Sequence, residues 1–147
     1  LSSRGTIVVF SLFLLITFIY PGQFTVKLMG IEEFFTDITT DIHNKLNGTC
    51  PEVCSNRSII EQFGFLKLLV RQIVQLGKTD GQFFFGPDRP EVLKAVGAID
   101  SEFVRINLTR RILKTVFGLK KNEVKVYQEV YDEIRRMLDD LKYTLEM

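Results

Sequence analysis

Apolar side chains recur along this chain at three- and four-residue steps, and four stretches with that spacing set the expected architecture. In the first, Ile31, Phe34, Phe35, Ile38, Ile42 and Leu46 form one helical stripe, while Glu32, Glu33, Asp37 and Asp41 lie off it. A short extended piece, 23–27, is expected ahead of it. The second stretch opens at Ser58-Ile59-Ile60-Glu61, a capping-box pattern in which each side chain satisfies a backbone N–H near the other residue. It runs through Phe63, Leu66, Leu69, Val70, Ile73 and Leu76, apolar on nearly every side, and Gly77 is expected to end it.

A loop follows over 78–90, with turn signals at Asp80-Gly81 and Gly86-Pro87. Pro90 suits a first helical turn, where the N–H it lacks would have no helical partner anyway. From there Val92, Val96, Ile99, Phe103, Ile106, Arg110, Leu113 and Phe117 alternate steps of four and three as far as Gly118. The spacing predicts one continuous third helix with Arg110 on its core face, snorkelling or meeting an acid such as Asp37 or Asp41. Val124, Tyr127, Tyr131, Ile134, Leu138, Leu141 and Leu145 repeat the rule for a fourth. Connections of roughly 5 to 13 residues are too short for long crossovers. The expected fold is therefore all-α, a four-helix up-down-up-down bundle over 23–147.

Residues 1–22 read differently. Arg4 precedes a run of roughly 14 mostly apolar residues, 7–20, closed by Pro21-Gly22. That run matches a signal-peptide core and falls short of the ~20 residues that span a bilayer. A signal peptide, or a signal anchor if it is retained, is expected here. In both readings Arg4 stays on the cytosolic side and the domain passes into the lumen or out of the cell.

Composition narrows the function more than the fold. Nineteen basic and eighteen acidic residues nearly cancel, so no overall field draws the chain to nucleic acid or an acidic membrane. A hydrophobic content of 46% with 13 Phe describes a packed domain, not a disordered one. Three Asn-x-Ser/Thr triplets begin at Asn47, Asn56 and Asn107, where chance predicts fewer than one. Glycan transfer needs lumenal exposure, so these sequons and the N-terminal segment support each other. Asn107 weighs less because it falls within the expected third helix. Cys50 and Cys54, the only cysteines, are expected to bridge in that oxidising compartment. Closing so small a loop restrains the unfolded chain by roughly 2 kcal/mol at most, so its role is to pin the corner between the first two helices.

Catalytic chemistry finds little support. The Cys-x-x-x-Cys spacing is not the redox Cys-x-x-Cys, and two thiols with one distant histidine leave a metal incompletely ligated. His43 stands alone near a helix end, without a nucleophile to serve. Di-iron Glu-x-x-His pairs, Gly-rich phosphate loops and nucleophile elbows do not occur. No catalytic residue, metal or cofactor is expected.

Two stretches offer interaction surfaces instead. Phe83, Phe84 and Phe85 lie between glycines and are expected to cap the bundle, with Phe83 and Phe85 inward and Phe84 outward as an anchor. Arg105, Arg110, Arg111, Lys114, Lys120, Lys121 and Lys125 form a basic zone. It either holds a sulfated glycan or anionic headgroup, or answers helix ends and neighbouring acids. The function expected is that of a secreted, N-glycosylated, non-enzymatic binding protein acting on another protein, through Phe83–Phe85 and through Arg110, Arg111 and Lys114. The alternatives are an extracellular carrier of small apolar ligands or lipids in a Phe-rich core, and a membrane-tethered ectodomain. A protein or small apolar ligand is the expected partner, nucleic acid is not, and membrane contact comes only through residues 1–22.

Overall fold

Periodicity becomes helix in a computed structural model that describes residues 24–50 and 54–147. The four longer elements are α1 (Phe24–Asn47), α2 (Ile59–Thr79), α4 (Arg89–Val104) and α6 (Lys121–Thr144). Two short helices lie between them, α3 (Gly81–Phe85) and α5 (Arg110–Thr115), and no strand occurs among the described residues. The expected signal or anchor segment, 1–22, lies outside the described residues. Among those residues no helix is long and apolar enough to cross a membrane.

Each departure from the expected boundaries has a local cause. Residues 24–27 are the first turn of α1, not an extended piece, because Leu28 is buried and continues the Ile31–Phe35 stripe toward the N-terminus. α2 begins as expected, with the Ser58 hydroxyl accepting from the Glu61 N–H at 3.2 Å. It runs past Gly77 to Thr79, and Asp80 then caps a new helix by accepting from the Gln82 N–H at 3.0 Å. The expected loop over 78–90 is therefore largely helical.

The third stripe breaks at 105–109, although no proline or glycine lies there. Ile106 and Leu108 are both buried, which two residues two apart, on opposite sides of a helix, cannot achieve on a single helical face. The Tyr127 hydroxyl holds the break open: it donates to the Ile106 carbonyl and accepts from the Leu108 N–H, both at 3.0 Å. Thr109 then caps α5 by accepting from Ile112 N–H at 3.2 Å. Burial pushes the Tyr127 hydroxyl far above the usual phenol range, so it keeps the proton it donates. Tyr127→Phe deletes both bonds inside the core and should destabilise the protein by about 1–3 kcal/mol in a denaturant titration.

Gly118, at φ +66, ends α5 with Leu119 N–H donating to Leu113 O at 3.0 Å, a reversal that favours glycine.

α1 packs against α2 and α4, while α6 packs against α2 and, less extensively, α4. Contacts fix the directions. Arg89 meets Leu145, Asp100 meets Arg135, and Leu108 meets Tyr127, so α4 and α6 are antiparallel. Asp41 near the end of α1 meets Gln62 at the start of α2, which makes that pair antiparallel too. Thr39 to Glu102 sets α1 beside α4, and Phe63 to Tyr127 sets α2 beside α6. The end of α1, the start of α2, the end of α4 and the start of α6 consequently share one end of the molecule. At the other end lie the start of α1, α3 and the C-terminus.

Between them sits an aromatic cluster. Phe63 meets Tyr127 edge-on with centroids 4.7 Å apart, and Phe103 stacks on Tyr131 at 4.4 Å.

Candidate functional site

Two ends and one corner carry the residues that the sequence singles out. At the first end, α1 closes through Gly48 at φ +67, with Thr49 N–H donating to Asn44 O at 2.9 Å. Cys50 and Cys54 are joined as a disulfide with Cα atoms 5.5 Å apart, and no free cysteine remains. A polar clasp ties this loop to both helices. Asp41 accepts from the Gln62 side chain at 2.6 Å and from Ser55 N–H at 2.9 Å, and pairs with Lys45 at 3.0 Å. Lys45 in turn donates to the Arg57 carbonyl at 3.1 Å. The corner that the bridge was expected to pin is held by these bonds as well.

Asn47 and Asn56 are exposed on either side of the bridge. Asn107 is also exposed and lies in the α4–α5 break, not inside a helix, which corrects the reason for discounting it. All three sequon asparagines therefore sit at the same end.

At the opposite end the aromatic triplet is arranged differently from the expectation. Phe83 and Phe84 are 2% and 7% exposed, whereas Phe85 is 54% exposed. The reason is helical. α3 winds the three rings about 100° apart per residue, so adjacent Phe83 and Phe84 share the inner side and Phe85 turns out. Phe84 fills a notch over Gly77, where an added Cβ would overlap its ring. Phe85 lies under the Arg89 guanidinium, 5.1 Å from ring centroid to the cation, while Arg89 also donates to the Leu145 carbonyl at 2.7 Å. Val26, Met29, Tyr143 and Met147 are exposed at this end too.

The basic zone forms the corner where α4, α5 and α6 meet. Arg110 is exposed there and does not occupy a core position, because the helix break changes the phase of the stripe before it. It meets neither expected acid. Asp41 is engaged in the clasp, and Asp37 lies elsewhere on α1, its carboxyl pushed up by burial and by Glu33. Arg111, Lys114, Lys120, Lys121 and Lys125 are exposed as well. Only Arg105 of this zone has an ion pair among the described residues, with Glu102 at 3.4 Å.

Between α4 and α6 a partly buried acid is matched by two cations. Asp100 receives Arg135 and Lys142 from α6. Burial opposes ionisation of Asp100, but the bonds from Arg135 and Lys142 outweigh it and hold the carboxyl below its ordinary range. A depressed carboxyl stabilises the fold above its unfolded value of about 3.9, and that contribution is lost as pH falls through the lower folded value. Asp100→Asn should therefore flatten the acid limb of a stability-against-pH curve below about pH 4 and leave its alkaline limb unchanged.

His43 has its Nε2 buried without a hydrogen-bond partner among the described residues. No group of three or more His, Cys, Asp or Glu side chains that could hold a metal occurs among the described residues. Comparison with protein-family models, curated proteins and solved structures finds no match, so the functional reading rests on these residues alone.

Proposed function

We propose that this chain is a secreted, N-glycosylated, non-enzymatic binding protein that acts on another protein through the end bearing Phe85. In this reading the six helices of the described residues form a four-helix up-down-up-down bundle with two short connecting helices, behind a signal peptide or anchor in residues 1–22. The observation that carries it is the division of the molecule into two unlike ends. Three sequon asparagines collect at one, and Phe85 stands exposed at the other. Glycans at the first end would keep it wet and leave the second free to dock. An exposed aromatic beside an arginine has the composition of an interface anchor. Ring-on-ring packing in the core favours a protein partner over an apolar cargo.

Expression through a secretory host tests the compartment. Glycosidase should lower the mass, with Asn47, Asn56 and Asn107 occupied, and thiol labelling without reductant should find no free cysteine. Capture from native extracellular fluid by the wild type and by Phe85→Ser tests the docking end. Loss of an anchor can cost 2 kcal/mol or more, about 30-fold, in affinity. Unmodified asparagines would sink the compartment, and equal capture by both proteins would sink the docking end.

A further inference from the structure

Charge is distributed far less evenly than the net value suggests. Seven of the nineteen basic residues and one of the eighteen acidic ones fall within 105–125, so this stretch carries +6 and the other 126 residues carry −5. The fold gathers that stretch into the single corner formed by α5, its link to α6 and the first turns of α6. Arg110, Arg111, Lys114, Lys120, Lys121 and Lys125 are all exposed there. None of the six makes an ion pair among the described residues. Arg71, Lys78, Lys94 and Arg136 are also exposed without one, but they lie on three separate helices, and only the corner concentrates such cations in one stretch.

Helix stability does not explain the placement. Lys120 stands at the N-cap of α6 and Lys121 at its first residue, where the helix presents unsatisfied N–H groups and the positive end of its dipole. Lysine has no atom that can accept from those N–H groups, and its charge is repelled there. Glu123 offsets part of this by accepting from the Lys120 N–H at 3.0 Å. A corner that concentrates unpaired cations against a helix dipole is better matched to a charge supplied from outside.

We infer that this corner binds a linear sulfated polysaccharide. The partner is a polyanion because six free cations spread over three consecutive pieces of chain match a row of fixed negative charges, not one ion. Single-stranded nucleic acid is disfavoured because base stacking needs exposed aromatics, and Phe117, the only aromatic in 105–125, is partly buried. A flat bilayer is disfavoured because Asn107 lies at the edge of the corner, with Asn47 and Asn56 at the same end. Glycans there would hold a membrane off and still let a flexible strand lie between them. The choice of a polysaccharide rests on the secretory reading, whereas the cationic surface does not.

The test uses full-length protein from a secretory host, with heparin as the probe. Binding should weaken by about 100- to 1,000-fold between 50 and 200 mM salt, as expected when several fixed charges release counterions. Two variants of equal net charge separate the corner from bulk charge. Arg110→Ser, Arg111→Ser, Lys114→Ser and Lys121→Ser combined should lose about 30-fold or more in affinity with an unchanged melt. Arg71→Ser, Lys78→Ser, Lys94→Ser and Arg136→Ser combined should lose less than about threefold. Equal losses would overturn the inference, as would binding to anionic phospholipid vesicles or single-stranded DNA as tight as to heparin at the same salt. Glycosylated protein that ignores heparin overturns the inference and leaves the secretory reading standing. Corner-dependent heparin binding by protein lacking glycans would leave the cationic surface standing but overturn the polysaccharide as its partner, together with the secretory reading.

Discussion

Phe63→Ala should destabilise the protein by about 3–5 kcal/mol, the range for truncating a buried aromatic. Phe63 is fully buried near the start of α2 and meets Phe103, Tyr127 and Tyr131. Its removal leaves a void between three rings borne by two other helices, and those rings cannot collapse without moving the helices. Tyr127 adds to the cost, because its hydroxyl is committed to the α4–α5 break and resists displacement. Leu138→Ala, at a fully buried site on α6, should cost about 2–5 kcal/mol by the same cavity mechanism. A suitable surface control is Gln128→Ala, exposed on α6, which should change stability by less than about 0.5 kcal/mol. Lys142 is a poor control because it binds Asp100 at 3.1 Å. Urea titrations of the variants check the order, and comparable losses for Phe63 and Gln128 would refute the assignment of the core.

Phe84→Ser should be nearly as damaging, at about 3–5 kcal/mol, because it removes a buried ring and leaves a hydroxyl in an apolar notch. Phe85→Ser should change stability by less than about 0.5 kcal/mol, since that ring is mostly in water. Gly77 supplies an independent check on the notch. Gly77→Ala alone should destabilise, because its Cβ would occupy the space of the Phe84 ring. In the Phe84→Ser background that ring is gone, and Gly77→Ala should stabilise by up to about 1 kcal/mol through helix propensity. Additive effects across this pair would show that the two residues do not touch.

Several consequences of the amino-acid order are local and were legible without coordinates. The 3.6-residue stripes of α1, α2 and α6 need only a helix and a buried side, so Ile31, Phe35, Phe63, Ile73, Ile134 and Leu138 are core in both accounts. The Ser58 cap and the Cys50–Cys54 bridge depend on neighbours within four residues of each other. Glycine at 118 ends a helix through its own φ. Among the candidate site residues, the exposure of Asn47, Asn56, Arg111 and Lys114 follows from their polarity and their flanking turns.

The remaining features depend on partners in other elements of the fold. A phenol at 127 interrupts the helix at 105–109, so Asn107 becomes a loop residue and Arg110 leaves the core, although the spacing in 92–117 is unbroken. The triplet is sorted by the turn of α3 and by a glycine notch on α2, so Phe85 and not Phe84 faces solvent. The gathering of three sequons at one end and six unpaired cations at one corner required the directions of α1, α2, α4 and α6 together. Periodicity records which side of a helix avoids water, and that is a property of the segment itself. Where a helix breaks, which ring fills a hole and which charges remain unpaired are settled by groups on other elements, 21 residues away in the case of Ile106 and Tyr127, and only the folded chain brings those groups together.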